Sequence, residues 1–145
     1  MQNSIDTLTK PLWLNKKINL KQCDELKHLL KGFELHTVCQ QALCPNISEC
    51  FAKKVATFLI LGNVCTRKCS FCAIRQGTPE PPDFDEPLRL AGAVEKLTLS
   101  HVVITSTTRD DLADGGAGVF ARTIEAIRSI KGDTTIEVLV PDFGG

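Results

Sequence analysis

The sequence predicts an α/β protein built on an incomplete parallel sheet of βα units. Three short apolar, β-rich segments predict strands: Thr57–Leu61, His101–Ser106 and Thr135–Val140. The amphipathic segments between them predict helices that cross over from one strand to the next, which makes the strands parallel and the connections right-handed. The sequence ends at Pro141–Gly145, directly after the third strand. Because an open parallel edge is a poor place for a domain to end, we expect further strands to complete the sheet.

Both crossover helices have clear signals at their ends. The first follows the turn-rich segment Gly77–Pro87, with Asp85 as the candidate N-cap and Pro87 in the first turn. Its predicted buried positions are Leu88, Ala91, Val94 and Leu97. The second helix, Val119–Lys131, follows the polar loop Thr107–Gly118. Its predicted apolar face carries Phe120, Ile124, Ile127 and Ile130.

The N-terminal part predicts less regular structure. Leu20–Lys31 predicts a short amphipathic helix that Asn19 caps and Gly32 ends. Its apolar stripe consists of Cys23, Leu26, Leu29 and Leu30. Val38–Phe51 has no clean period and predicts a loop with one helical turn at most.

Composition restricts the compartment and the partners. Lysine plus arginine and aspartate plus glutamate both number 17, which disfavours a nucleic-acid binder that works through a basic surface. The apolar runs are too short to span a membrane, and Met1–Pro11 has no secretory or transit-peptide pattern. We therefore expect a cytoplasmic protein whose seven cysteines stay reduced, which favours metal or redox chemistry over disulfides.

Cys65, Cys69 and Cys72 form a C-x3-C-x2-C group directly after the first predicted strand. Active sites of parallel α/β sheets lie at this end of the strands. Three thiolates can hold three irons of a cubane cluster and leave the fourth iron open to another ligand. The alternative is a zinc site that takes a fourth ligand from elsewhere in the chain.

Cys39, Cys44 and Cys50 form a second group, with C-x4-C-x5-C spacing, in a segment that also holds Pro45 and Asn46. Three thiols at such short spacing predict a shared metal. The alternatives are a structural zinc knuckle or three unrelated thiols, because cysteine is also an ordinary buried residue.

The segment CTRKCSFC resembles the signature of the radical S-adenosylmethionine (SAM) enzymes, C-x3-C-x-aromatic-C. The resemblance implies that Cys65, Cys69 and Cys72 bind a 4Fe–4S cluster whose open iron chelates SAM. It also implies that Phe71 lies close to the adenine. The expected fold is a full or partial parallel βα barrel with the cluster loop after its first strand.

The two cysteine groups together look like the N-terminal portion of the lipoyl synthase family. Four further segments resemble family motifs in the family's order: TVCQQALCPN, ATFLILG, TSTTRDDLADGG and IEVLVPDF. The resemblance implies an N-terminal helix and auxiliary-cluster loop over residues 1–54, and the first half of a radical SAM barrel over 55–145. It makes Cys39, Cys44 and Cys50 the ligands of a second 4Fe–4S cluster, which supplies sulfur. The family's fourth auxiliary ligand, a serine in an Arg-Ser-Ser-Tyr-type motif, does not occur in this sequence.

The implied reaction inserts two sulfur atoms into the octanoyl chain of octanoyl-lysine on a lipoyl carrier domain. Hydrogen abstraction from unactivated carbon needs a cofactor radical, since no side-chain acid or base can perform it. The implied partners are octanoylated carrier domains of 2-oxoacid dehydrogenase complexes and of the glycine cleavage system, and a low-potential electron donor. The alternatives are another radical SAM enzyme or a small zinc-binding module, and this chain on its own is expected to be a poor catalyst.

Other polar residues are candidates for cofactor contact. Ser106, Arg109, Asp110 and Asp111 leave the second strand at the expected active end, where SAM contacts are expected; the alternative is a solvated polar loop. Glu137 is predicted to be a buried carboxylate, which needs a partner such as a ribose, an ammonium group or a salt bridge.

Overall fold

The computed structural model describes residues 11, 20–42, 44–53 and 55–144. The elements begin with α1 (Leu20–Gly32), β1 (His36–Thr37), α2 (Val38–Gln41), α3 (Ile47–Ala52), β2 (Val55–Ile60) and β3 (Val64–Cys65). They continue with β4 (Arg75–Gln76), α4 (Glu86–Lys96), β5 (His101–Ser106), α5 (Ala117–Ile130) and β6 (Thr135–Leu139). The predicted cap Asn19 and the side chains of Cys23 and Leu26 lie outside what the structure describes.

The main sheet has four strands in the order β1-β2-β5-β6. β2, β5 and β6 are parallel, with Thr57 opposite Val103 and Val103 opposite Glu137. The short strand β1 pairs antiparallel with β2 at its outer edge. The predicted open parallel sheet is therefore confirmed, and α4 and α5 are the crossovers that bring its three parallel strands side by side.

The core lies between the sheet and its two crossover helices. Strand side chains alternate between faces, and one face, with Phe58, Ile60, Val102 and Ile104, is fully buried in this core. The other face is more open, because β5 is only half-buried there and β6 is exposed along most of its length. In the part of the chain that the structure describes, the sheet is open and does not close into a barrel.

Three sequence predictions about helices are wrong in detail. Val38–Phe51 holds two short helices, α2 and α3, in place of a loop with one turn. Leu88 is 61% exposed and Leu90 is fully buried, because the buried stripe of α4 already starts at Glu86 and Pro87. The buried stripe of α5 ends before the predicted position Ile130: Ile127 is buried, whereas Ile130 is 41% exposed.

The start of α4 also differs from the prediction. The side chain of Asp85 makes no capping hydrogen bond. Asp83 takes that place, since its Oδ1 accepts the Asp85 N–H at 2.9 Å and its Oδ2 pairs with Arg89 at 2.6 Å. Across the described ranges, no helix is long and apolar enough to cross a membrane.

Candidate functional site

The loop that carries Cys69 and Cys72 is closed at its base by backbone pairing. β3 and β4 lie side by side in parallel, and the N–H of Gly77 donates to the carbonyl of Cys65 at 3.0 Å. Residues 66–74 therefore project from the C-terminal end of β2 as one loop, called here the cluster loop. Its position at this end of the sheet agrees with the location of active sites in parallel α/β proteins.

The three thiols of this group differ in their surroundings. The sulfur of Cys65 is half-buried and accepts the backbone N–H groups of Arg67 at 3.4 Å and Thr108 at 3.3 Å. Amide donors of this kind stabilise negative charge on a metal-bound sulfur. Cys69 and Cys72 are exposed and joined by a turn, in which the N–H of Cys72 donates to the Cys69 carbonyl at 3.1 Å. Phe71, between them, is 90% exposed.

Arg67 ties the cluster loop to the two neighbouring strand ends. Its guanidinium bonds Asp110, after β5, with Nε–Oδ2 at 2.9 Å, and Asp142, after β6, with Nη1–Oδ2 at 2.8 Å. The hydroxyl of Thr66 also donates to Asp110, at 2.8 Å. Hydrogen bonds from Arg67 hold the pKa of both aspartates below the usual range. Arg67 is thus a clamp between three loops, which the sequence alone did not reveal because its partners lie 43 and 75 residues away.

Removal of this clamp should loosen the cluster loop. In Arg67→Met we expect the backbone amides of residues 66–74 to exchange hydrogen about two- to fivefold faster at neutral pH, a small factor because the ion pairs are solvent-exposed. Lys68→Met, at the adjacent exposed cation, is the matched control and should leave exchange unchanged. Because the pKa of both aspartates is lowered, the clamp is complete above the ordinary aspartate pKa and is lost as the pH falls through the lowered values. Equal exchange in both variants would show that Arg67 does not order the loop.

Arg109 and Ser106 do not reach into open space. Arg109 is 1% exposed, and its guanidinium binds both carboxylate oxygens of Asp111, at 2.8 and 2.7 Å. The alternative of a solvated polar loop is therefore wrong at Arg109, which is buried, and the predicted contact of this segment with SAM stays a prediction. The Ser106 hydroxyl is buried and has no hydrogen-bond partner among the described residues. Strand alternation places Ser106 on the helix-covered side of the sheet, with Ile104. The predicted contact of Ser106 with SAM stays a prediction.

Glu137 is not buried, which corrects the prediction. Its side chain is 62% exposed, and its Oε2 lies within hydrogen-bond distance of Nε2 of His101, at 3.2 Å. The partner of Glu137 in the structure is therefore His101, and a contact with a ribose or an ammonium group stays a prediction. Glu137 lies opposite Val103 in the register, on the open face of the sheet, because β6 has no covering element there within the described residues.

The first cysteine group is assembled by α2 and α3. Thr37 caps α2 by accepting the Gln40 N–H at 3.2 Å, and the N–H of Cys44 then donates to the Cys39 carbonyl at 3.0 Å. Burial raises the pKa of the Cys39 thiol, and the nearby thiols of Cys44 and Cys50 raise it further.

The two cysteine groups lie at opposite ends of β2. The first group precedes the strand: Cys50 lies on α3, which ends at Ala52, and β2 begins at Val55. Cys65 follows the end of the strand, beyond Ile60. At about 3.3 Å per residue, the two ends of β2 are roughly 17 Å apart. A substrate that reached both groups would extend along β2.

The residues fit two iron–sulfur clusters by donor type. Each group offers three reduced thiols, and six free cysteines are described in all. In the part of the chain that the structure describes, no three histidine, cysteine or acidic side chains form a ready-made metal-binding group. In the cluster loop Cys69 and Cys72 are exposed, and the sulfur of Cys65 already accepts two backbone N–H groups, which would stabilise charge on a metal-bound thiolate.

Residues 59–143 match the Radical SAM superfamily, and the chain belongs to it. The chain is also similar to individual members of that superfamily. It is 60% identical to the lipoyl synthase of Geotalea uraniireducens (strain Rf4) over 136 residues, which cover 94% of this chain and 48% of that protein. It is 59% identical to the lipoyl synthase of Trichlorobacter lovleyi over 137 residues, covering 94% of this chain and 49% of the relative. It is 56% identical to that of Caldicellulosiruptor saccharolyticus, with 94% and 48% covered. The chain spans about half the length of these curated relatives.

Proposed function

We propose that this chain is part of a lipoyl synthase and contributes both of its cluster-binding cysteine groups. The observation that carries the proposal is the pair of three-thiol groups at the two ends of β2, in a chain 60% identical to a lipoyl synthase. Cys65, Cys69 and Cys72 would hold the cluster that binds SAM. Cys39, Cys44 and Cys50 would hold the cluster that gives up sulfur.

The chemistry of the reaction comes from the cofactors and its geometry from the protein. When bound, a reduced 4Fe–4S cluster with SAM supplies the 5′-deoxyadenosyl radical that abstracts hydrogen. The chain's own residues hold the reacting groups in place: β2 separates the two cysteine groups, and Arg67 fixes the cluster loop against the ends of β5 and β6. Reacting groups that are held in a fixed geometry do not pay the entropy cost of meeting in solution.

The open face of the sheet is the proposed path for the substrate. It bears Thr57 and Val103 at mid-strand, and the His101–Glu137 pair lies beside them. The substrate we propose is the octanoyl chain of octanoyl-lysine on a lipoyl carrier domain, in the cytoplasm, with a low-potential protein as electron donor. Phe71, Ser106, Asp110 and Glu137 remain our proposed contacts for SAM, while Arg109 is buried and acts through its contact with Asp111.

The iron content of the reconstituted protein tests the proposal. After anaerobic reconstitution we expect clearly more than four irons per chain, and roughly half of that amount in each of two variants. One variant replaces Cys65, Cys69 and Cys72 by alanine, and the other replaces Cys39, Cys44 and Cys50. A colourless wild-type protein that holds zinc would support the zinc-binding module instead. Iron loss from both groups in either variant, with a folded circular-dichroism spectrum, would contradict two independent cluster sites.

A further inference from the structure

Leu61 joins β2 to the cluster loop in an unusual conformation. Its φ is +66°, in the left-handed region that residues other than glycine rarely adopt. It is followed by Gly62 at φ +86° and is itself only 3% exposed. Two consecutive left-handed residues turn the chain sharply between β2 and Cys65. A left-handed leucine costs free energy, so the surrounding structure must hold it.

Both backbone groups of Leu61 are held by side chains from distant segments. Its N–H donates to Oε2 of Glu86 at 2.9 Å. Its carbonyl accepts the hydroxyl of Thr107 at 3.1 Å and Nη1 of Arg109 at 3.4 Å. These three side chains are buried, at 5%, 2% and 1% exposure. We call Glu86, Thr107 and Arg109 the Leu61 clamp.

The side chain of Leu61 packs against the turn at Gly116. A Cβ atom added to Gly116 would collide with Cδ1 of Leu61 and displace the end of that side chain. Gly116, at φ +94°, stands directly before α5. The start of α4, the end of β5 and the start of α5 therefore all meet at one residue, four positions before Cys65.

The use of a carboxylate in the clamp points to positioning rather than to stability. Burial raises the pKa of Glu86, which means that the buried environment disfavours its charged form. An amide or a hydroxyl could accept the same backbone N–H without that penalty. A buried acid at the junction therefore stabilises one backbone geometry at a cost to the free energy of folding.

We propose that Glu86, Thr107 and Arg109 are positioning residues, which fix Leu61 in its left-handed conformation and thereby present Cys65 to the SAM-binding cluster. The inference rests on the proposed role of Cys65 as a cluster ligand. The three residues act through the backbone of Leu61 and not through contact with the cluster.

The test uses the full chain with Cys39, Cys44 and Cys50 replaced by alanine, so that a single cluster gives the signal. Three variants are compared: Glu86→Ala, Glu86→Gln, and Asp83→Asn as a control that weakens an ion pair of the same helix without touching Leu61. Each is reconstituted, reduced, and titrated with SAM while the electron paramagnetic resonance (EPR) spectrum of the cluster is recorded. Circular dichroism confirms folding.

We expect Glu86→Ala to need about fivefold more SAM for half of the spectral change, the loss that one hydrogen bond to a buried group typically causes. Glu86→Gln keeps an acceptor for the Leu61 N–H and should resemble the parent, as should Asp83→Asn. A purely structural role would lower the melting temperature of Glu86→Ala and leave the SAM titration of its folded fraction unchanged, which would overturn the proposal.

A second pair covers the case in which Glu86→Ala does not fold. Thr107→Val removes the hydroxyl with little change of shape, and Thr107→Ser restores it. We expect the SAM titration to be weakened in Thr107→Val and recovered in Thr107→Ser. Parental titrations in both would overturn the inference. If the parent itself forms no cluster, the proposed function fails, and this outcome is distinct from a failure of the clamp.

Discussion

Replacement of Cys65 by alanine is expected to abolish reductive cleavage of SAM. Cys65 is the thiol of its group that the fold already orients, through the amides of Arg67 and Thr108. With two remaining thiols, the cluster loses a protein ligand at the point where the loop joins the sheet. The measurement is 5′-deoxyadenosine formation by the complete lipoyl synthase of Geotalea uraniireducens, substituted at the position aligned with Cys65.

The seventh cysteine supplies the control for this experiment. Cys23 belongs to neither group in the sequence, so Cys23→Ala in this chain should leave iron content and SAM binding unchanged. Cleavage that persisted after the loss of Cys65 would remove the assignment of this group to SAM. Loss of iron from both groups after the single change would instead indicate unfolding, which circular dichroism detects.

Replacement of Cys44 by alanine should separate the two functions. Cys44 lies between α2 and α3, in the segment that leads into the start of β2, whereas Cys65 follows the end of that strand. We expect SAM cleavage to continue and lipoyl formation from an octanoylated carrier peptide to stop. The reason is that, under the proposed function, the radical and the sulfur would come from sites held by different elements. Both products are measured in the complete relative, at the position aligned with Cys44.

A matched variant makes this second result interpretable. Ser48 lies on α3 in the same segment and is buried, so Ser48→Ala tests whether a small change in this region is tolerated. It should retain both activities. If the Cys44 variant loses SAM cleavage as completely as the Cys65 variant, while the Ser48 variant is active, the two groups do not have separate roles.

The sequence was sufficient for the parts of the fold that depend on local pattern. β5 was predicted with its observed ends, His101 and Ser106, since an apolar β-rich run between a helix and a polar loop leaves little choice. The parallel order also followed, because a crossover helix between two strands allows few arrangements. The spacing of the cysteines predicted two groups of three thiols, and their role as metal ligands stays a prediction.

Tertiary structure decided what depends on distant partners. Leu88 was predicted to be buried but is exposed, whereas Leu90 is buried. The packing of α4 against the rest of the structure, and not its apolar content, sets which stripe of the helix is buried. Glu137 lies on an open face, so the apolar strand around it did not imply burial. The separation of the two cysteine groups along β2 followed from the pairing of β1 with β2, a contact that no local pattern specifies.

What the sequence by itself determined is therefore the chemistry that the chain can hold: six thiols in two groups, within a parallel α/β frame. What only the tertiary structure decided is how that chemistry is positioned. Arg67 finds its partners 43 and 75 residues away, and Leu61 is held by Glu86 and Arg109, 25 and 48 residues away. Such contacts depend on where the chain folds back on itself, so they become visible only when the strands and helices are assembled.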